Sequence, residues 1–177
     1  DWPTTFELAT VMAAAYFADQ GVEVAVVEVG RGGRYDATNA LPHEVALMAS
    51  VSLDHVDILG GTLEAIAREK AGVVPEGGVL VSGEQAPEVL QVLEEEVQGR
   101  RAVWWRARAE GLEVRDYRQG NPPTQREEPY PVDPTSVRLA LGGAFQAANL
   151  RLALGGVAAL RALGWRLPEA AVVQGLE

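Results

Sequence analysis

Residues 6–17 form an apolar-rich stretch, Phe-Glu-Leu-Ala-Thr-Val-Met-Ala-Ala-Ala-Tyr-Phe, which predicts a helix. Thr4 and Glu7 fit a capping box at its start, with Thr4 as N-cap and Glu7 at the third helical position. Gly21 ends it. Residues 23–29 (Glu-Val-Ala-Val-Val-Glu-Val) are β-branched and almost continuously apolar, the pattern of a strand buried on both faces of a parallel sheet. Residues 30–42 are Gly-rich and without period, hence a loop. A second apolar run over 44–51 predicts a strand reaching Ser52. Residues 62–74 have helical spacing, with Leu63, Ile66, Ala67 and Ala71 on one face.

The second half continues the alternation. Short strands are expected at 78–82 and 102–106, with a helix at 87–97 between them. A further strand is expected at 112–117. Residues 120–134 are rich in Pro and charge and predict a surface loop or an exposed hairpin. A strand over 136–141 is broken by Gly142-Gly143. A long Ala- and Leu-rich helix follows over 145–163, and a last helix over 167–177. Strands alternating with helices predict an α/β domain with a mostly parallel sheet flanked by helices. In such sheets ligands gather at the carboxyl ends of the strands. That rule places residues 28–39, 52–61 and 142 onward on one rim.

Composition narrows the function classes. The 177 residues amount to one domain. The formal net charge of -10 disfavours phosphate backbones and anionic lipid, so neither nucleic acid nor a membrane is an expected partner. No cysteine is present, which excludes disulfides and thiolate chemistry and fits a reducing cytoplasm. No apolar run reaches membrane-span length, and no signal peptide opens the chain. The chain opens on Asp1 rather than Met, and residues 167–177 read as a helix that stops abruptly. Truncation at both ends is therefore expected.

Four groups carry candidate chemistry. Glu28 sits near the end of an otherwise apolar strand, where a carboxylate requires a partner or a metal; pairing with Arg31 or Arg34 is the alternative. The loop Gly30-Arg31-Gly32-Gly33-Arg34-Tyr35-Asp36-Ala37-Thr38-Asn39 allows close backbone approach to a ligand, and Asp36, Thr38 and Asn39 supply donors and acceptors. It is not the G-x-x-x-x-G-K-[ST] phosphate loop, which occurs nowhere in the chain. His55 follows directly on a predicted strand end, as a ligand or as an ordinary surface residue. Lys70 is the only lysine beside fourteen arginines. It either snorkels or pairs with Glu64 or Glu69, or it answers a need for a primary amine. An amine can shed its proton and react with an electrophile, including carbon dioxide, whereas a guanidinium cannot.

Taken in order, these segments resemble the Mur ligase superfamily, and within it the folylpolyglutamate synthase and dihydrofolate synthase family. The similarity runs through Pro3-Thr4-Thr5-Phe6-Glu7, then residues 28–39 and Leu53-Asp54-His55. It continues through Leu59-Gly60-Gly61-Thr62-Leu63, Ile66-Ala67 and Glu69-Lys70-Ala71-Gly72, and ends at Gln146-Ala147-Ala148-Asn149. The Gly-Gly-x-x-Asp-Ala-Thr-Asn segment favours the folate branch over the peptidoglycan branch.

The resemblance implies a central ATPase-type domain of P-loop type over 1–177, without its first strand, its phosphate loop or the C-terminal domain. It implies a ligase that joins L-glutamate to folate or dihydropteroate through an acyl phosphate, at the expense of ATP. Glu28 and His55 are implied magnesium ligands. Lys70 corresponds to a carbamylated lysine that helps hold the metals. Asn149, with Gln146, matches a segment that contacts adenine, and Asp36, Thr38 and Asn39 lie where the pterin end of the substrate is expected. Phe145 departs from the polar residue common before that Gln. The isolated fragment is expected to be inactive. A peptidoglycan-precursor ligase and a non-catalytic α/β binding module remain as alternatives.

Overall fold

A computed structural model of the chain describes residues 2–53, 61–139, 142–143 and 145–177. Helix α1 (Thr5–Asp19) is capped as the sequence predicts. The Thr4 side chain accepts from the Glu7 N–H, and the Glu7 carboxylate accepts from the Thr4 N–H at 2.6 Å. There follow β1 (Val45–Met48), α2 (Leu63–Ala71), β2 (Val79–Ser82), α3 (Pro87–Gly99) and β3 (Val103–Ala107). Strands β4 (Leu112–Asp116) and β5 (Thr124–Glu128) precede α4 (Gln146–Ala162) and α5 (Glu169–Leu176).

The five strands form one sheet in the order β1-β2-β3-β4-β5. β1, β2 and β3 are parallel, β4 is antiparallel to β3, and β5 is antiparallel to β4. Four strands thus run in one direction, as the α/β reading requires, with helices on both faces. α2 and α3 cover the face carrying Ala46, Met48, Leu80 and Trp104, burying Ile66, Ala71, Val89, Leu93 and Val97 against it. α4 covers the other face, where Val79, Val81, Val103, Trp105, Leu112 and Val114 meet Ala158 and Ala159. Gly155 and Gly156 let α4 ride close to the strands: a Cβ on Gly155 would lie 2.7 Å from Val81 Cγ1, and one on Gly156 2.8 Å from Leu47 Cδ2. In the buried layer Trp104 Nε1 donates to Ser82 Oγ at 2.9 Å. No described helix is long and apolar enough to cross a membrane.

Two strand expectations are corrected. Residues 23–29 are not a strand, and Val22, Val24, Val26 and Val27 are exposed. Their composition suits a strand covered on both faces, but none of the described strands pairs with them, and α1 buries none of its residues. Over 136–139 no strand forms either. Asp133 instead caps a 3-10 turn, Pro134–Ser136, accepting from the Thr135 N–H at 2.9 Å. The charged segment 120–134, expected as a surface loop or an exposed hairpin, takes the hairpin form, with edge strand β5 antiparallel to β4. Its exposed Thr-Gln-Arg-Glu-Glu sequence has no apolar period, and its ladder with β4 defines it. Helix α2 is also shorter than 62–74, because Thr62 caps it and Gly72 ends it.

Candidate functional site

At the last turn of α2 two of the sequence motifs, residues 30–39 and 69–72, meet. A helix leaves its final carbonyls without intrahelical donors. Here the end tightens first: Gly72 N–H donates to Glu69 O at 3.3 Å, Val73 N–H to Lys70 O at 3.3 Å and Val74 N–H to Ala71 O at 3.0 Å. The 30–43 segment then supplies further donors. Arg34 N–H donates to Glu69 O at 2.9 Å. The Asn39 side-chain amide donates to Gly72 O at 3.2 Å and to Arg34 O at 3.1 Å. The His43 ring lies between Leu41 O, 2.9 Å from Nδ1, and Val73 O, 2.7 Å from Nε2.

Charge reinforces this end. Arg34 Nη2 makes a long 3.5 Å contact to Arg68 O and a 3.0 Å ion pair with Glu96 of α3. The other Glu96 oxygen pairs with Arg100 at 2.9 Å, and Arg100 reaches Gly72 O at 3.4 Å. Two guanidinium groups at a helix C-terminus are favourable against its partial negative charge. The approach is close enough to demand glycine. A Cβ on Gly33 would stand 2.8 Å from both Glu69 O and Lys70 O, and Gly32 turns the chain at φ 74°.

The predicted residues fall as follows. Lys70 is half-buried in the last turn of α2. Asp36 caps the 3-10 turn Ala37–Ala40, accepting from Thr38 N–H at 3.0 Å, Thr38 Oγ1 at 2.6 Å and Arg31 N–H at 3.0 Å. Burial alone would raise its pKa, but the hydrogen bonds from Thr38, Arg31 and Gly30 outweigh it and hold the carboxyl below its ordinary value. Asp36 and Thr38 are therefore engaged inside the loop, and Asn39 ties the loop to Gly72 at the end of α2. Gln146 and Asn149 share the first turn of α4, with Asn149 Nδ2 3.4 Å from Gln146 Oε1. Phe145 precedes them without a side-chain cap and is exposed.

Glu28 is exposed rather than buried in a strand, and Arg34 pairs with Glu96 instead. His55 lies outside the described residues. Among those described, no three His, Asp or Glu side chains group closely enough to hold a metal ion. Glu28 nevertheless offers the hard carboxylate oxygens that magnesium takes. Sequence reasoning missed Arg34, Glu96, Arg100 and His43 as parts of this cluster. The adjacent Gly32-Gly33 and the Gly72 at the helix end were the available signals, since paired close approaches leave paired glycines.

Residues 3–157 match the family model described as Mur ligase middle domain. The chain belongs to that family. As a Mur ligase middle domain, it is similar to the dihydrofolate synthase/folylpolyglutamate synthase of Mycobacterium tuberculosis, at 52% identity over 94 residues, 50% of this chain and 19% of that protein. Among solved structures, the Mycobacterium tuberculosis folylpolyglutamate synthase complexed with ADP superposes with a TM-score of 0.75 at 37% identity, over 98% of this chain and 39% of that one. A folylpolyglutamate synthase–AMPPCP–folate complex gives a TM-score of 0.79 at 28% identity, over 99% and 43%. The chain thus spans less than half the length of these relatives.

Proposed function

We propose that the chain is the central domain of a longer cytoplasmic ligase that joins L-glutamate to folate or dihydropteroate at the expense of ATP. The observation that carries this reading is the superposition of 99% of the chain on a folylpolyglutamate synthase holding AMPPCP and folate. In the reaction, a substrate carboxylate oxygen takes the γ-phosphoryl group and ADP leaves. The glutamate amine then attacks the acyl carbon, phosphate departs with the C–O bond, and the amine loses a proton as the amide forms.

Two anions must meet in the first step. Magnesium, when bound, neutralises them and polarises the phosphoryl group. Glu28, His55 and Lys70 are the residues we assign to hold it, Lys70 through a carbamate that turns a cationic side chain into an oxygen ligand. Gln146 and Asn149, side by side at the start of α4, are assigned to the adenine of ATP. Asp36, Thr38 and Asn39 are assigned to the wall beside the pterin, with Asp36 ionised and held by its own loop.

The 177 residues contain no phosphate loop of the G-x-x-x-x-G-K-[ST] type, so the chain by itself is assigned no turnover. Exposed Val11, Met12, Tyr16 and Val26 support its being one part of a larger body, because that apolar surface suits polypeptide cover.

The test uses the full-length gene product with ATP, magnesium and glutamate. Phosphate release is followed with dihydropteroate, with tetrahydrofolate and with a nucleotide-linked muramyl peptide. Release that depends on either pterin substrate is expected. Release with the muramyl peptide alone moves the protein to the cell-wall branch, and silence in all three removes the ligase reading.

A further inference from the structure

We propose that Arg34 and Asn39 are positioning residues, which cap the C-terminal end of α2 from outside the helix and so fix where the Lys70 side chain departs. The proposal rests on the reading of Lys70 as a site residue given above.

α2 has 9 residues, a length at which an isolated helix is not stable in water. Its last turn therefore depends on contacts from elsewhere. The carbonyls around Lys70 are held from the 30–43 loop: Glu69 O by the Arg34 N–H, Gly72 O by the Asn39 amide, and Val73 O by the His43 ring. The Asn39 amide also takes Arg34 O, so one side chain ties both partners of the contact. Steric fit completes the clasp. A Cβ on Gly33 would sit 3.0 Å from Lys70 Cα, so the loop backbone packs directly on the lysine's own backbone.

Glu96 anchors the clasp to α3. One of its oxygens takes Arg34 and the other Arg100, whose guanidinium also reaches Gly72 O. Among the described residues Lys70 forms no ion pair, and its side chain departs from the turn that these bonds hold. A loosened α2 terminus would let that head group wander, and misplacement of about 1 Å can cost on the order of 10²-fold in rate.

The experiment compares Asn39→Ala, Arg34→Ala and Glu96→Gln in the full-length enzyme with Val172→Ala, a core truncation in α5 far along the chain. Arg34→Ala keeps the N–H on Glu69 O and removes the guanidinium contacts to Glu96 and Arg68 O; Glu96→Gln removes only the anchoring charge and serves should another variant fail to fold. Two readouts are taken well below every melting temperature. The first is the rate at which sulfosuccinimidyl acetate acylates the Lys70 amine in carbon dioxide-free buffer, where no carbamate forms, followed by peptide mass mapping. The second is kcat and KM for glutamate.

We expect the three clasp variants to acylate several-fold faster at Lys70 and to lose kcat by on the order of 10–100-fold with a smaller change in KM. Val172→Ala, even with an equal loss of melting temperature, should change neither. Wild-type labelling rates in the clasp variants overturn the proposal, as does Val172→Ala matching them. Labelling needs no turnover. A wild-type enzyme without folate-dependent phosphate release would therefore refute the ligase reading while leaving the clasp decided on its own data.

Discussion

Placing alanine at Gly72 sets two known effects against each other, and the sign of the outcome tests the packing of the loop on α2. The Gly72 backbone is right-handed helical, with φ -57° and ψ -13°. Alanine fits that conformation without strain, and at an open site such a change stabilises by about 0.4–1 kcal/mol through the unfolded chain. At Gly72, however, the new Cβ would lie 2.5 Å from Arg34 Cα and 2.9 Å from Arg34 N. Those are backbone atoms, and the Arg34 N–H is bonded to Glu69 O at 2.9 Å. No rotamer change relieves the clash. Overpacking of this kind costs typically about 1–3 kcal/mol, more than the entropic gain. The net expectation is destabilisation of roughly 0.5–2 kcal/mol, or several degrees at about 2–4 °C per kcal/mol for a chain of this size. Gly99→Ala in α3 is the control, because its added Cβ meets nothing within 4 Å. Urea and thermal melts of both variants decide the matter. Gly99→Ala should raise stability and Gly72→Ala lower it; a Gly72→Ala protein as stable as the wild type would show that the loop does not press on α2 as described.

Three further outcomes are expected. Ser82→Ala should cost about 1–3 kcal/mol in urea melts, because it orphans the buried Trp104 indole N–H; a neutral effect would mean the indole finds another acceptor. Glu113 accepts from Arg115 at 2.7 Å and pairs with Arg106 and Arg108, each at 3.1 Å. Its burial favours the neutral acid, but the Arg115 hydrogen bond and the charges of Arg106, Arg115 and Arg108 prevail and lower its pKa. The stabilisation is thus present above the ordinary glutamate value, about 4.3, and lost as pH falls through the lower folded value. Glu113→Gln should melt lower at pH 7 and show a flatter acid limb between pH 7 and roughly pH 3, and an acid limb as steep as wild type would exclude Glu113 from it. Lys70→Arg in the full-length enzyme keeps the charge but not the reactive amine. It should abolish turnover with the circular dichroism unchanged, and near-normal turnover would remove Lys70 from the mechanism.

What the sequence made legible follows from how local each signal is. Thr4 and Glu7 announce the start of α1 because both halves of a capping box lie within four residues. The helix expected over 87–97 is α3, with Pro87 in its first turn and Val89, Val92, Leu93 and Val97 buried. Residues 23–29 misled because their apolar character records what they are made to touch, not what they touch among the described residues. At 136–139 the Asp133-Pro134 turn overrode a weak strand pattern. β5 was ambiguous because an exposed edge carries no buried face. For the site, Glu28 and Lys70 stood out by residue type and setting. Arg34, Asn39 and Arg100 act on main-chain carbonyls, which every residue possesses, so no side-chain pattern 28 to 35 positions away marks their targets.

The two margins of the sheet are chemically unlike. At β5 the outermost strand presents Gln125, Arg126 and Glu127, exposed and charged or polar, with Arg126 paired to Glu128 at 2.6 Å. Such a border repels a further strand. At β1 the border is Val-Ala-Leu-Met, with Leu47 48% exposed and no charge along the strand. Growth by strand addition is thereby permitted on one side only. A protein expressed as these 177 residues should for that reason associate through the β1 margin as its concentration rises, while the β5 margin stays inert, and a Leu47→Lys change should raise solubility where charge added to β5 would not.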